Sequence, residues 1–155
     1  MTQASITLSA CANTHQTHRL GDSVHFTLQG KGGVGKSLVA SIFAQYLSNR
    51  HSDLKCYDTD PVNQTFHGYS GLNVSHLVLM KRSKIDEHQF DALMDDIYKN
   101  QRAFVVDNGS SSFLALTNYF GENDTFEIIS ETGKEVVIHC VVTGGQAMDE
   151  IFTGL

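Results

Sequence analysis

The chain has 155 residues, a formal net charge of -6, a pI near 5.7 and 41% hydrophobic residues, which is enough for the core of one domain. Such an acidic chain lacks the broad basic surface of a nonspecific DNA-binding protein, so we expect no strong direct nucleic-acid surface. No hydrophobic run reaches the length of a transmembrane helix, and the N-terminus lacks a signal-peptide pattern. These features predict a cytoplasmic protein without a membrane segment.

Residues 1–23 are polar and precede the first convincing strand. We therefore predict a flexible N-terminal extension at 1–23, followed by one domain over residues 24–155. A zinc site in the extension is the weaker alternative, because a fourth ligand is missing. The candidate zinc ligands are Cys11, His15 and His18.

Cysteine spacing gives no C-x-x-C pair, which predicts free thiols in a reducing compartment. Cys56 and Cys140 lie in apolar, strand-like runs of the sequence. Because thiols in such runs behave as small hydrophobic groups, we expect both side chains to be buried.

The most informative feature is the octapeptide of Gly30, Lys31, Gly32, Gly33, Val34, Gly35, Lys36 and Ser37. It fits the phosphate-loop template G-x-x-x-x-G-K-[ST]. Glycine is needed because backbone N–H groups must approach phosphate oxygens closely, at φ angles that a Cβ disfavours. Lys36 is expected to reach the β and γ phosphates, and Ser37 to bind Mg²⁺ at the start of a helix.

The flanking segments agree with that template. Residues 24–29 alternate between apolar and polar side chains as a strand does, and apolar residues between Leu38 and Leu47 recur at helical spacing. Strand, glycine loop and helix is the order that a phosphate loop requires.

Two carboxylates follow the next strand candidate, at residues 54–57. Asp58 and Asp60 are two residues apart, so on extended backbone they point the same way, as a magnesium-supporting or water-positioning pair would. Pro61 ends the strand and fixes a turn. The alternative is an Asp-Pro turn with a solvated acid, but the preceding phosphate loop favours the functional interpretation.

A helix is predicted over residues 86–99, where apolar side chains recur on one face and Asp86 with Gln89 resembles a capping box. The apolar strand at 103–107 then ends in Asp107, which is how phosphate-loop proteins present a second carboxylate on the magnesium side.

The polar segment after this strand contains Asn108, Gly109 and Ser110. We interpret these residues as a switch that rearranges when a γ-phosphate arrives or leaves. An inert capped loop is the alternative.

Further helices are predicted at 113–120 and around 126–129, the second of them closed by Gly133. Residues 136–142 form the most continuous apolar, β-branched run and predict a buried strand. Alternating strands and helices predict an α/β fold with a mostly parallel sheet, helices on both faces and the ligand at the carboxyl ends of the strands.

The motifs at 31–37, 58–61 and 105–107 together resemble the deviant phosphate-loop ATPases, which include plasmid-partition and septum-positioning proteins. Within that family the chain is most similar to TraL-type conjugal-transfer proteins. The resemblance covers roughly residues 24–146 and implies a three-layer P-loop NTPase fold, with Mg-ATP as the ligand. It also implies the strand order two, three, one, four.

The resemblance also implies roles for individual residues. Lys31 would reach the phosphates of a partner subunit across a nucleotide-sandwich homodimer, and Asp60 would orient the attacking water. Asp58 would support Mg²⁺ and the first switch, and Asp107 would hold Mg²⁺ through a water. The implied chemistry is slow phosphoryl transfer to water without a covalent intermediate. Conjugation or type IV secretion proteins would be the partners.

Departures from the family pattern bear on these expectations. Val62 stands where partition ATPases usually have glutamine, which favours the conjugal-transfer branch. The sequence ends at Leu155, soon after the fourth predicted strand, so we expect a fold that is incomplete at the C-terminus. Residues 136–142 would then lie near an uncovered edge, which predicts self-association.

The sequence leaves two other functions open. One is an ATP-dependent metabolic ligase or phosphotransferase of the dethiobiotin-synthetase type. The other is a nucleotide-binding interaction module without turnover.

Overall fold

The computed structural model describes residues 23–82 and 84–144 of the chain. The predicted extension therefore lies outside the described residues except for Ser23, which begins the first strand. The alternative zinc ligands Cys11, His15 and His18 also lie outside them, as does the end of the chain from residue 145.

Strands and helices alternate along the described chain. In order they are β1 (Ser23–Thr27), α1 (Lys36–Ser48), β2 (Leu54–Asp58), β3 (Ser75–His76), β4 (Met80–Lys81), β5 (Lys84–Ile85), α2 (Glu87–Lys99), β6 (Ala103–Asp107), α3 (Phe113–Glu122), α4 (Thr125–Glu131) and β7 (Glu135–His139). Single 3-10 turns occur at Ser70–Leu72 and Ser110–Ser112. The predicted main elements are all present, with bounds that differ by a few residues.

Five strands form one parallel sheet in the order β3-β2-β6-β1-β7. Its four long strands follow the expected order, and β3 adds one edge. The register pairs Thr27 with Asp107 and Asp58 with Asp107, so β1, β2 and β6 end at the same level. Strands β4 and β5 form a separate antiparallel hairpin.

Helices cover both faces of the sheet, as predicted. The side chains of α1 pack with Cys56, Ala103 and Val105 on one face, and those of α2, α3 and α4 pack with Phe26 and Phe104 on the other. Successive strand residues point to opposite faces, which explains why every residue of the central strands β1 and β6 is buried. Along the described chain, no helix is both long and apolar enough to cross a membrane.

Strand β7 differs from the buried strand that the sequence predicts. It ends at His139 and lies at the edge of the described sheet, and none of its five residues is fully buried. Ile138 is 44% exposed. Cys140, expected to be buried, is exposed just beyond the strand, whereas Cys56 in the interior strand β2 is fully buried. The β-branched run thus indicated a strand but wrongly predicted its burial, whereas its place at the edge of the described sheet agrees with the expected edge position.

The predicted capping box at the start of α2 is wrong. The Asp86 side chain makes no capping hydrogen bond, and the Asp86 backbone N–H already donates to the Leu79 carbonyl at 2.8 Å. That N–H is therefore unavailable to a Gln89 side chain. The prediction for Gly133 is confirmed, since its φ of +83° and its 2.9 Å hydrogen bond to the Ser130 carbonyl close α4.

Candidate functional site

The glycine-rich loop at residues 30–37 connects the end of β1 to the start of α1. Gly33 and Gly35 have φ angles of +74° and +95°, a region that side chains with a Cβ rarely adopt. Gly35 is the N-cap of α1, and no acidic residue occurs in the first helical turn. The positive end of the helix dipole therefore faces the loop without an acidic side chain from the first turn of α1 itself, which favours an anion there.

Lys36 brings a nearly buried ammonium group to this loop. It is only 8% exposed, and its Nζ donates a 2.9 Å hydrogen bond to the Lys31 carbonyl. Burial lowers the Lys36 pKa, while the carboxylates of Asp107 and Asp60 act in the opposite direction. Lys36 thus lies within electrostatic range of two of the predicted site residues.

Asp107 is a buried acid beside the glycine-rich loop. Its carboxylate accepts a hydrogen bond from the Thr27 hydroxyl and lies close enough to the Ser37 hydroxyl for that group to lower its pKa, and the residue is 1% exposed. Burial raises the Asp107 pKa; the two hydroxyls oppose that shift, the charge of Asp58 adds to it and Lys36 opposes it. The structure therefore brings the loop serine close to the acid at the end of β6.

Asp58 organises the backbone of the segment that follows β2. It is fully buried. Its Oδ1 accepts a 3.0 Å hydrogen bond from the Asp60 N–H, and its Oδ2 accepts one of 2.9 Å from the His67 N–H. Each carboxylate oxygen keeps a second acceptor site, so support of Mg²⁺ by Asp58 stays a prediction alongside this structural role.

Asp60 occupies a turn that also contacts the segment after β6. Its Oδ1 accepts hydrogen bonds from the N–H groups of Val62 (2.8 Å) and Asn63 (3.0 Å), which is the geometry of an Asx turn. Its carboxyl group lies against Gly109, where an added Cβ would be 2.7 Å from the Asp60 Cγ. Asp60 thus forms the kind of turn that the alternative interpretation proposes, and its carboxyl group also contacts the predicted switch segment at Gly109.

The predicted switch segment connects the parts of the site. Asn108 is 2% exposed, and its side-chain amide donates to the Thr27 and Val106 carbonyls at 3.3 Å each. The Ser110 Oγ lies 3.3 Å from where a Cβ on Gly32 would be. This segment therefore contacts the glycine-rich loop at Ser110 and Asp60 at Gly109, while Asn108 is held in the interior.

Sequence reasoning missed three polar residues of the site: Thr27, Thr59 and His76. The Thr27 hydroxyl donates a hydrogen bond to the Asp107 carboxylate. The Thr59 hydroxyl lies within hydrogen-bond distance of the Asp107 carbonyl and the Asn108 Oδ1, and the His76 Nε2 lies within the same range of the Asp60 carbonyl. Thr27 is the last residue of β1 and Thr59 comes directly after β2. Both lie where the parallel strands end, and this position is the feature of the sequence that could have identified them.

The donor set fits Mg²⁺ and phosphate oxygens. Ser37 and Asp107 offer the hard oxygen ligands that Mg²⁺ prefers, and Lys36 with the positive-φ loop suits phosphate. Among residues 23–82 and 84–144, no three His, Cys, Asp or Glu side chains form a complete metal site. That is compatible with Mg²⁺, which commonly takes one or two carboxylates and completes its shell with water and substrate phosphates.

Comparisons with known proteins identify similar sequences but no structural neighbour. No family model matches the chain, and no solved structure matches it. Two curated proteins of Escherichia coli, both called Protein TraL, are 47% and 44% identical to it over 131 residues. Each match covers 84% of this chain and 54% of the TraL protein. The chain is therefore homologous to TraL over most of its own length, and it spans about half the length of these curated relatives.

Proposed function

We propose that this chain is the Mg-ATP-binding part of a slowly hydrolysing switch protein that acts in plasmid conjugal transfer. The observation that carries the proposal is the convergence of Lys36, Ser37 and Asp107 at one end of the sheet, with Asp60 beside them. Similarity to TraL supports the conjugal role, and the family resemblance supplies the P-loop ATPase interpretation. The glycine-rich loop is then a phosphate loop.

In this proposal each group acts through position and charge. Lys36 and the N–H groups of the loop bind the triphosphate, while Ser37 and Asp107 hold Mg²⁺, which would neutralise phosphate charge as the γ-phosphoryl group leaves. Asp60 orients the attacking water. Hydrolysis then needs no covalent intermediate, since orientation and charge stabilisation carry most of phosphoryl transfer.

Titration calorimetry with Mg-ATP tests the binding step. Wild type should bind, and Lys36→Ala should weaken binding by about 10- to 100-fold, because a hydrogen bond to a charged group contributes about 1.5–3 kcal/mol. Lys81→Ala is the matched control, since Lys81 is exposed on β4, and it should bind as wild type does. Equal affinity of all three proteins would contradict the proposal.

A nucleotide-binding module without turnover is the second candidate. It is favoured by the Asx turn, in which Asp60 Oδ1 already accepts two backbone hydrogen bonds. Release of phosphate from Mg-ATP separates the two. If wild type hydrolyses Mg-ATP and the rate falls at least about 100-fold in Asp60→Asn while binding is retained, the result would support the ATPase. Binding without hydrolysis by wild type would support the module.

A further inference from the structure

The segment between β2 and β3 is tied to the end of β2 through Asp58. Asp58 Oδ2 accepts the His67 N–H at 2.9 Å, and the His67 ring donates from Nδ1 to the Val74 carbonyl at 2.7 Å. Phe66 and Val74 are buried against the α1 face of the sheet. The segment that carries Asp60 is therefore anchored at both of its ends.

His76 closes this arrangement on Asp60 itself. It lies on β3 in register with Asp58, and the Leu77 N–H continues the pairing by donating to the Asp58 carbonyl at 2.8 Å. The His76 Nε2 lies 3.2 Å from the Asp60 carbonyl oxygen. A carbonyl oxygen only accepts hydrogen bonds, so Nε2 carries the proton and donates.

The Asp60 residue is thus held on both sides of its backbone. Its N–H donates to Asp58 Oδ1 and its carbonyl accepts from His76. The following residue is Pro61, whose ring further restricts the backbone of Asp60. With its main chain fixed, the Asp60 carboxylate stays against Gly109 and within electrostatic range of Lys36.

We propose that His76 is a positioning residue, which holds the Asp60 backbone so that the Asp60 carboxylate keeps its place beside Gly109. The consequence for hydrolysis rests on the proposed function, because only there does Asp60 orient water. His76 itself touches neither nucleotide nor water in this proposal. Its removal should lower kcat and leave the affinity for Mg-ATP unchanged.

The experiment compares wild type, His76→Ala and His76→Gln, with His88→Ala as the matched control because His88 is exposed on α2. Glutamine keeps an N–H donor at a similar reach. In single-turnover hydrolysis, His76→Ala should lose about tenfold in rate, as expected for one hydrogen bond, with Mg-ATP affinity within twofold of wild type. His76→Gln should recover most of the rate, and His88→Ala should equal wild type.

Amide hydrogen exchange measured by NMR without nucleotide gives a readout that does not need hydrolysis. The N–H groups of Val62 and Asn63, which donate to Asp60, should exchange about tenfold faster in His76→Ala and at the wild-type rate in His76→Gln, because exchange follows local opening of the backbone. Unchanged exchange in His76→Ala would overturn the positioning role. Absence of hydrolysis in wild type would instead overturn the proposed function and the expected effect of His76 on kcat. The exchange result would still decide whether His76 positions Asp60.

Discussion

The Thr59 hydroxyl donates a 2.8 Å hydrogen bond to Oδ1 of Asn108, and so joins the segments that follow β2 and β6. The same hydroxyl lies 3.0 Å from the Asp107 carbonyl, and the Thr59 N–H donates to that carbonyl at 2.8 Å. Both side chains are buried. Because each candidate carboxylate is adjacent in sequence to one of these two residues, their bond fixes Asp58, Asp60 and Asp107 relative to one another.

Thr59→Val should lower the free energy of unfolding by about 1–3 kcal/mol, because it leaves the buried Asn108 Oδ1 without its donor. Urea denaturation measures the change. Thr65→Val is the matched control, since Thr65 is exposed, and it should change stability by less than about 0.5 kcal/mol. Equal stability of the two variants would show that the Thr59 hydroxyl contributes nothing to holding these segments together.

Gly109→Ala should reduce hydrolysis by about 10- to 100-fold while the fold is retained, because the new Cβ would be 2.7 Å from the Asp60 Cγ and must displace that carboxyl. The backbone tolerates alanine, since the φ of Gly109 is -67°. Phosphate release under saturating Mg-ATP measures the effect.

The control for this variant is Gly71→Ala. Gly71 lies in the 3-10 turn Ser70–Leu72, and an added Cβ there meets no atom within 4 Å. It should hydrolyse at the wild-type rate. A Gly109→Ala protein that is as active as Gly71→Ala would mean that the observed place of Asp60 does not matter for turnover.

Much of this fold follows from local sequence pattern. Alternating or continuous apolar runs predict the long strands, and apolar side chains at helical spacing predict the four helices of the described residues, because each of these elements buries one face or both. Strands β3, β4 and β5 have two residues each, too few for any periodicity. Phe66 and Leu79, which are 0% and 1% exposed, are core residues of this irregular region and belong to no predicted element.

The sequence predicted which site residues lie at the ends of strands. Carboxyl ends of parallel strands meet at one edge, so the approach of Asp107 to the glycine-rich loop follows from chain order. The bond from His76 to Asp60 joins residues 16 positions apart and depends on the pairing of the two-residue strand β3. Sequence alone therefore located the carboxylates but not the groups that hold them.

His25 should make stability depend on pH. It is 2% exposed on β1, and burial, together with the nearby His139, lowers its pKa to about 4. Its ring nitrogens lie 2.7 Å from the Ser23 Oγ and 3.1 Å from the His139 Nε2. The folded protein thus favours neutral His25, whereas the unfolded chain titrates near 6.5.

The sign follows from these two values. The stabilisation is fully present above pH 6.5 and is lost as pH falls towards 4, by about 2 kcal/mol between pH 7.5 and 4.5. Urea unfolding at both pH values should show this loss in wild type and in His88→Gln, in which an exposed histidine is replaced. His25→Gln should lose about 2 kcal/mol less. Parallel losses in all three proteins would contradict a His25 contribution.

Lys31 should decide whether nucleotide promotes a homodimer. In a nucleotide sandwich two triphosphates face each other, and their charges repel unless cations from opposite subunits lie between them. Light scattering of an Asp60→Asn protein, which is expected to retain ATP, should show more dimer with Mg-ATP than without it. Adding Lys31→Ala should abolish this effect of Mg-ATP on the dimer, while the affinity for Mg-ATP, measured at protein concentrations too low for dimerisation, should change by less than about threefold.

Lys81→Ala in the same Asp60→Asn background serves as the charge-matched control and should still form the dimer. Because both lysine variants change the net charge equally, a difference between them cannot come from charge alone. A dimer that persists in Lys31→Ala would remove Lys31 from the subunit interface. A dimer that forms equally without nucleotide would instead point to β7, the edge strand of the described sheet, where Ile138 is 44% exposed.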